Sequence, residues 1–224
     1  MPSRFAFFAE PNEIIERFPV EDVTIEYYRA YNIKPTNRVV GIIRNRDTGK
    51  NEVVRLRWGY AKDQYKARSE TIHETRLFAK AFKERRCLIL ANGFFEWKKV
   101  GGKSIPYYFK MKNDDLFSFA GVYNQYADKE DENKIKYKYA VLTIEPNPLV
   151  GEIFHRMPVI LKPNTEKIWL DPNSDMELVK SVMQTYDDKS MERYQVEELP
   201  ARKDNGPATI KPLDAMRGSL DDFF

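Results

Sequence analysis

Cysteine is nearly absent from this chain of 224 residues: Cys87 stands alone, which excludes an internal disulfide and any zinc site built from cysteines, and fits a reducing compartment. Long apolar runs are missing as well. No run approaches the roughly 18 residues of a membrane-spanning helix, and no basic stretch precedes an apolar segment at the N-terminus. These absences predict a cytoplasmic protein without a membrane span or export signal. Glycine is scarce, at 10 residues, while aromatics reach 13%, a balance that excludes a low-complexity chain and predicts a packed core. Charged residues make up 32% yet nearly cancel, leaving +3. So small a net charge argues against wholesale polyanion binding but leaves room for one basic groove on a mixed surface.

What is present is organised around residues 86–99. An apolar run ends at Asn92-Gly93, a turn signal, and the aromatic stretch that follows carries one carboxylate, Glu96, between Phe95 and Trp97. A carboxylate stripped of hydration by aromatics has a raised pKa and suits a proton donor near neutrality. The alternative is a polar-face strand residue that merely alternates with its aromatic neighbours.

Along the rest of the chain, residues 4–8 read as a strand, and Pro11 opens a short helix whose Ile14, Ile15 and Phe18 share a face. Residues 31–36 read as loop because Pro35 restricts its neighbour. Residues 38–43 and 52–58 flank Asp47-Thr48-Gly49-Lys50 as a hairpin. A helix is expected over 69–83, opened by Ser69-Glu70-Thr71. Strands are then expected at 86–91, 94–98, 107–112, 117–123 and 135–144, with a solvated acidic loop at 128–132. Two short helices, near 165–170 and 176–186, complete a β-rich α+β domain of antiparallel strands with peripheral helices. His73 reads as an ordinary helix-surface residue and Cys87 as a small buried hydrophobe.

Three pieces carry a family resemblance: Ala67-Arg68-Ser69-Glu70-Thr71, Asn92-Gly93-Phe94-Phe95-Glu96-Trp97-Lys98, and His155-Arg156-Met157-Pro158-Val159-Ile160-Leu161. With Tyr31-Asn32-Ile33-Lys34-Pro35 and Arg57-Trp58-Gly59-Tyr60, their order and spacing resemble the SRAP family, whose members process abasic (AP) sites in single-stranded DNA. The resemblance implies a single β-rich domain over residues 1–199 with a basic groove and an active site at the N-terminus. It implies neither a cofactor nor a metal. Glu96 is then the residue that moves protons during opening of the sugar, and His155 a second acid or base. Arg4 and Arg68 hold flanking phosphates, while Asn32 and Thr143 line the pocket.

The departures from the family pattern fall on the chemistry. Where the family has a cysteine after the initiator methionine, forming a stable thiazolidine crosslink, this chain has Pro2, followed by Ser3 in place of glycine. Lys66 replaces an asparagine, and three readings of it stay open: a phosphate contact, a substitute amine, or a solvated lysine. A proline has no thiol, so no thiazolidine forms. Its secondary amine, freed by removal of Met1, can still condense with an aldehyde, and the iminium permits β-elimination of the 3′ phosphate. The expected function is therefore AP-site binding with transient, lyase-like processing in the DNA damage response. The competing reading is a non-catalytic binder of AP sites or single strands. The family's peptidase-like self-release carries over weakly, since it presupposes the missing cysteine.

Beyond residue 199 the composition turns polar and breaker-rich, which predicts a linker over 200–216. In the final segment, 217–224, Leu220, Phe223 and Phe224 stand at i, i+3 and i+4, an anchor pattern for a hydrophobic groove. It resembles the peptide that binds the PCNA-type sliding clamp, with Arg217 where that motif usually has Gln. The alternative is a tail folded back on its own domain. Nucleoid association follows for a prokaryotic cell.

Overall fold

The computed structural model describes residues 3–61, 64–128, 131, 135–198 and 205–213. Strand β1 (Arg4–Phe7) leads into helix α1 (Pro11–Arg17), followed by β2 (Ala30–Ile33), β3 (Arg38–Arg44), β4 (Asn51–Trp58) and the short β5 (Lys66–Arg68). Helix α2 (Ala79–Glu84) precedes a run of long strands: β6 (Arg86–Ala91), β7 (Gly93–Val100), β8 (Lys103–Met111), β9 (Phe117–Ala127) and β10 (Ile135–Ile144). The remainder is helix α3 (Pro148–Gly151), β11 (Met157–Pro158), β12 (Ile160–Leu161), α4 (Glu166–Leu170), α5 (Met176–Ser181) and β13 (Met191–Gln195).

These strands make two layers. One is a five-stranded sheet in the order β13-β8-β7-β1-β2. In the other, β10-β4-β3-β6-β9 closes on itself through the β9–β10 pairing, forming a small barrel. Closure removes the sheet edges and leaves the interior to side chains. Most ladders are antiparallel, as expected, but β10 runs parallel to β4 and then to β5, so β5 continues the path of β4 along one edge of β10.

Aromatic packing between the layers fixes which faces meet. Phe5 of β1 packs edge-on against Trp58 of β4 (5.3 Å between ring centroids) and Phe119 of β9 (5.6 Å). Phe94 of β7, paired with Phe5, also meets Phe119 at 6.1 Å. On the far face of the five-stranded sheet Ala6, Phe95, Tyr108 and Val196 form a second, smaller core.

Asn92-Gly93 does not reverse the chain. It is the bend at which β6 leaves the barrel and β7 enters the other sheet. The Asn92 side chain accepts from the Phe8 N–H at 2.8 Å and its own N–H donates to Ala6 O at 2.9 Å, pinning the bend to β1. Only glycine fits next, because a Cβ on Gly93 would lie 2.2 Å from the Tyr108 ring and 2.6 Å from Phe109 O. A true two-residue hairpin turn occurs at Gly101-Gly102, both at positive φ (56° and 80°), between Val100 and its partner Lys103.

Several expectations need correction. Residues 69–78 form successive turns rather than the first part of a helix, and only Ala79–Glu84 is helical. Tertiary bonds outcompete helix propensity there: the Ser69 N–H donates to Thr143 O at 2.9 Å, and the Glu70 side chain is taken by Arg156. His73 is exposed, on a turn instead of a helix. Residues 30–33, partly assigned to a loop, are strand β2, because Ile33 pairs with Phe5 in the ladder. Helix α5 stops at Ser181; downstream, Tyr186 O accepts from the Asn147 side chain at 3.0 Å and the Thr185 hydroxyl donates to Glu145 O at 3.1 Å, drawing the chain away. Asp128, expected in a solvated loop, is buried and paired with Lys136. Within the stretch expected to be a linker, residues 205–213 return to the domain: Asn205 accepts from the Asn32 N–H at 2.8 Å, and the Tyr194 hydroxyl donates to Ile210 O at 2.7 Å.

Candidate active site between sheet and barrel

Side-chain alternation decides what faces what. Glu96 shares a face of β7 with Phe94, two residues earlier, and that face looks at the barrel. On the barrel side, Trp58 pairs with Tyr139, Lys66 with Val141 and Arg68 with Thr143, so Lys66 and Arg68 lie on the face that Trp58 turns toward β1. Two strands from different layers thus carry a carboxylate and an amine on facing sides, near enough for each charge to act on the other.

Their environments are coupled. Glu96 is 1% exposed, and burial among aromatics pushes its carboxyl up to about 7, against the pull of nearby positive charge that includes Lys66. Lys66 is half-buried; desolvation lowers its ammonium below the ordinary lysine value, while the Glu96 charge acts in the opposite direction. An acid and a base whose pKa values move toward one another are suited to exchanging protons near neutrality.

Thr143 is buried beside this pair. Its hydroxyl donates to Ala67 O at 3.3 Å, and its carbonyl accepts from Ser69 and from Arg156. Arg68, next to it, is exposed and available to an anion. Arg156, a residue the sequence reasoning passed over, organises this end of the site. Its buried guanidinium forks onto both oxygens of Glu70 (2.6 and 2.8 Å), and Glu145 lies at 3.4 Å. Its position inside the His155-Arg156-Met157-Pro158 motif was the available signal. The neighbouring His155 is exposed, with its ring 4.3 Å from that of Phe154. It follows α3, whose N-terminus is capped by Asn147 accepting from Val150 N–H at 2.9 Å.

Arg4 and Asn32 come together elsewhere. The Arg4 guanidinium donates to the Asn32 side chain at 2.8 Å, and alternation with Phe5 sends Arg4 out from the opposite face of the sheet to Glu96. The antiparallel β1–β7 register sets Arg4 opposite Phe95, one residue from Glu96 along β7. Pro2 lies outside the described residues, as do Leu220, Phe223 and Phe224. Cys87 is a buried free thiol, its pKa raised by burial, and is chemically quiet. Among the described residues there is no cluster of three or more metal-binding side chains, and no helix is long and apolar enough to cross a membrane.

The family pattern described as SOS response associated peptidase (SRAP) matches residues 1–199. This chain belongs to the SRAP family. Among its SRAP relatives, the Abasic site processing protein YoqW of Bacillus subtilis is 38% identical over 226 residues, covering 94% of this chain and 99% of that protein. The Abasic site processing protein YMR114C of Saccharomyces cerevisiae is 32% identical over 203 residues, 82% of this chain but only 53% of the yeast protein. A crystal structure of a protein from Bacteroides thetaiotaomicron shares the SRAP fold seen here with a TM-score of 0.82 at 24% identity, covering 94% of this chain and 99% of that one.

Proposed function

We propose that this protein binds AP sites in single-stranded DNA and processes them through a transient imine, as part of the response to DNA damage. The observation that carries the reading is the placement of Glu96 on β7 and Lys66 on β5 on facing sides of the gap between sheet and barrel. The names of the curated relatives support the substrate class. Exposed Arg68 supplies a cation for a flanking phosphate beside buried Thr143, while Arg4, bonded to Asn32 on the opposite face of the sheet, offers a second cation to phosphates farther along the DNA strand. Phosphate contacts of this kind give sequence-independent, salt-sensitive affinity.

In this reading the secondary amine of Pro2, exposed by loss of Met1, adds to the C1′ aldehyde of the ring-opened sugar. Glu96 delivers the proton with which the oxygen leaves as water. The resulting iminium acidifies C2′; loss of that proton expels the 3′ phosphate, and water hydrolyses the iminium to free the protein. His155 serves as a second acid or base. No sulfur takes part, so the adduct is short-lived.

Incubation with an AP-site oligonucleotide tests this. Borohydride should capture a covalent complex, and without reductant no heat-stable adduct should accumulate. A durable adduct without reductant contradicts the mechanism. A preference for AP over intact oligonucleotide with no trapping at all supports a catalytically silent binder instead, and intact mass tells whether Met1 has been removed. The proposal extends to the C-terminus, where Leu220, Phe223 and Phe224 anchor the protein to a PCNA-type sliding clamp. Removing the last eight residues should abolish co-elution with the clamp and leave AP-site binding intact; unchanged co-elution refutes that assignment.

A further inference from the structure

We propose that Lys66 is itself an amine nucleophile of this site, its Nζ forming an imine with the C1′ aldehyde of the ring-opened AP sugar while Glu96, facing it from β7, supplies and recovers the proton. The inference rests on the AP-site reading above and adds to it a covalent residue from a different strand.

Placement argues first. Lys66 opens β5, and the carbonyl just before it, Tyr65 O, accepts both from the Trp58 indole N–H at 2.8 Å and from the Val141 N–H at 3.1 Å. Trp58 in turn packs on Phe5 of β1, the strand that pairs with β7. The backbone under Lys66 is therefore fixed to the layer that carries Glu96, and register turns its side chain toward that layer. Such support from packed elements is what a covalent site requires.

The state of the amine argues next. Among the described residues Nζ enters neither a hydrogen bond nor an ion pair; what acts on it is burial, which favours the neutral form, and the charge of Glu96 at longer range. A half-desolvated lysine of this kind is the usual source of a Schiff-base nucleophile. Arg68 follows two residues later on the same face, about 6.6 Å along the strand, and is exposed, so a phosphate held there keeps the adjacent sugar near Nζ.

The chemistry balances without any further reactant. Neutral Nζ attacks C1′, forming the C–N bond, and the carbonyl oxygen leaves as water with the proton given by Glu96, which becomes a carboxylate. That carboxylate takes the C2′ proton; the electron pair forms the C2′–C3′ double bond as the C3′–O bond breaks and the phosphate departs. Water then hydrolyses the conjugated imine, restoring the amine and releasing an unsaturated aldehyde.

Reductive trapping on an AP-site oligonucleotide, followed by peptide mapping of the full-length protein, reads out the position directly. The expected adduct lies on the peptide containing Lys66, and Lys66→Arg, which keeps the cation but offers no neutral amine, should lose it while still preferring AP over intact DNA. Lys66→Gln should behave likewise in trapping. An adduct confined to the N-terminal amine, with unchanged yield in Lys66→Arg, overturns the assignment. Absence of any adduct on the wild-type protein also overturns it. In that case a retained preference for AP-site DNA shows that only the lysine role has failed, and loss of the preference that the AP-site reading has failed with it.

Discussion

Two carboxylates in this molecule are equally buried, Glu96 and Glu166, each 1% exposed, yet their surroundings differ in kind. Glu166 on α4 is gripped by the Arg17 guanidinium through two bonds (2.9 and 3.0 Å) and by the Ser118 hydroxyl at 2.7 Å. Burial raises its pKa while Arg17 pulls it down, and the arrangement joins α1, β9 and α4. Glu96 has in Lys66 a cation that acts across a gap at longer range, and its carboxyl rises to about 7. The first arrangement spends a buried charge on architecture; the second keeps one able to gain and lose a proton. Burial alone does not tell the two carboxylates apart; the groups set around each one do.

The sharpest way to break this comparison is activity. Glu96→Gln should lower the rate of AP-site processing by about 10²–10⁴-fold, the usual worth of a positioned general acid, with binding of AP-site oligonucleotides little changed. Glu166→Gln should leave the rate per folded molecule intact. Equal losses in both would erase the distinction.

Stability should sort the pair the other way. Removing Arg17 by an alanine substitution strands Glu166 in the interior, at a cost on the order of 3 kcal/mol in denaturant melts. A loss under about 1 kcal/mol, no more than a surface ion pair, would deny the fork its structural role. For Glu96 the sign follows from its raised value. The folded state holds a proton that the unfolded state has released between the ordinary value of 4.5 and about 7, so stability falls as pH rises through that window. The fall amounts to roughly 3 kcal/mol at most. Glu96→Gln should flatten that slope and melt above the wild type at pH 8. The smallest effect is expected at Arg68: replacement by alanine should reduce the salt dependence of DNA binding by about one phosphate contact and weaken affinity uniformly across sequences.

Much of the fold was legible because local signals and pairing agree. The hairpin of β3 and β4, the Gly101-Gly102 turn and the strands from β6 to β10 follow directly from alternation and turn chemistry. The helix expected over residues 69–83 was not, since its first part is held by Thr143 and Arg156, groups more than seventy residues away in sequence. The parallel β4–β10 ladder within the barrel left no local trace either. At the site, Glu96 stood out as a charge among aromatics, while the pairing of Arg68 with Thr143 emerges only from the β5–β10 ladder. The opposition of Lys66 to Glu96 needed the registers of two separate sheets. Arg156 hid behind a more conspicuous histidine.

The most direct test of the central claim, that Glu96 and an amine facing it across the gap form one proton-exchanging unit, is the pH dependence of borohydride-trapped adduct formation on an AP-site single strand. The logarithm of the wild-type rate should bend near pH 7, and that bend should be absent in Glu96→Gln, whose residual rate follows the amine alone. The same bend in both proteins, or none in the wild type, would contradict the account.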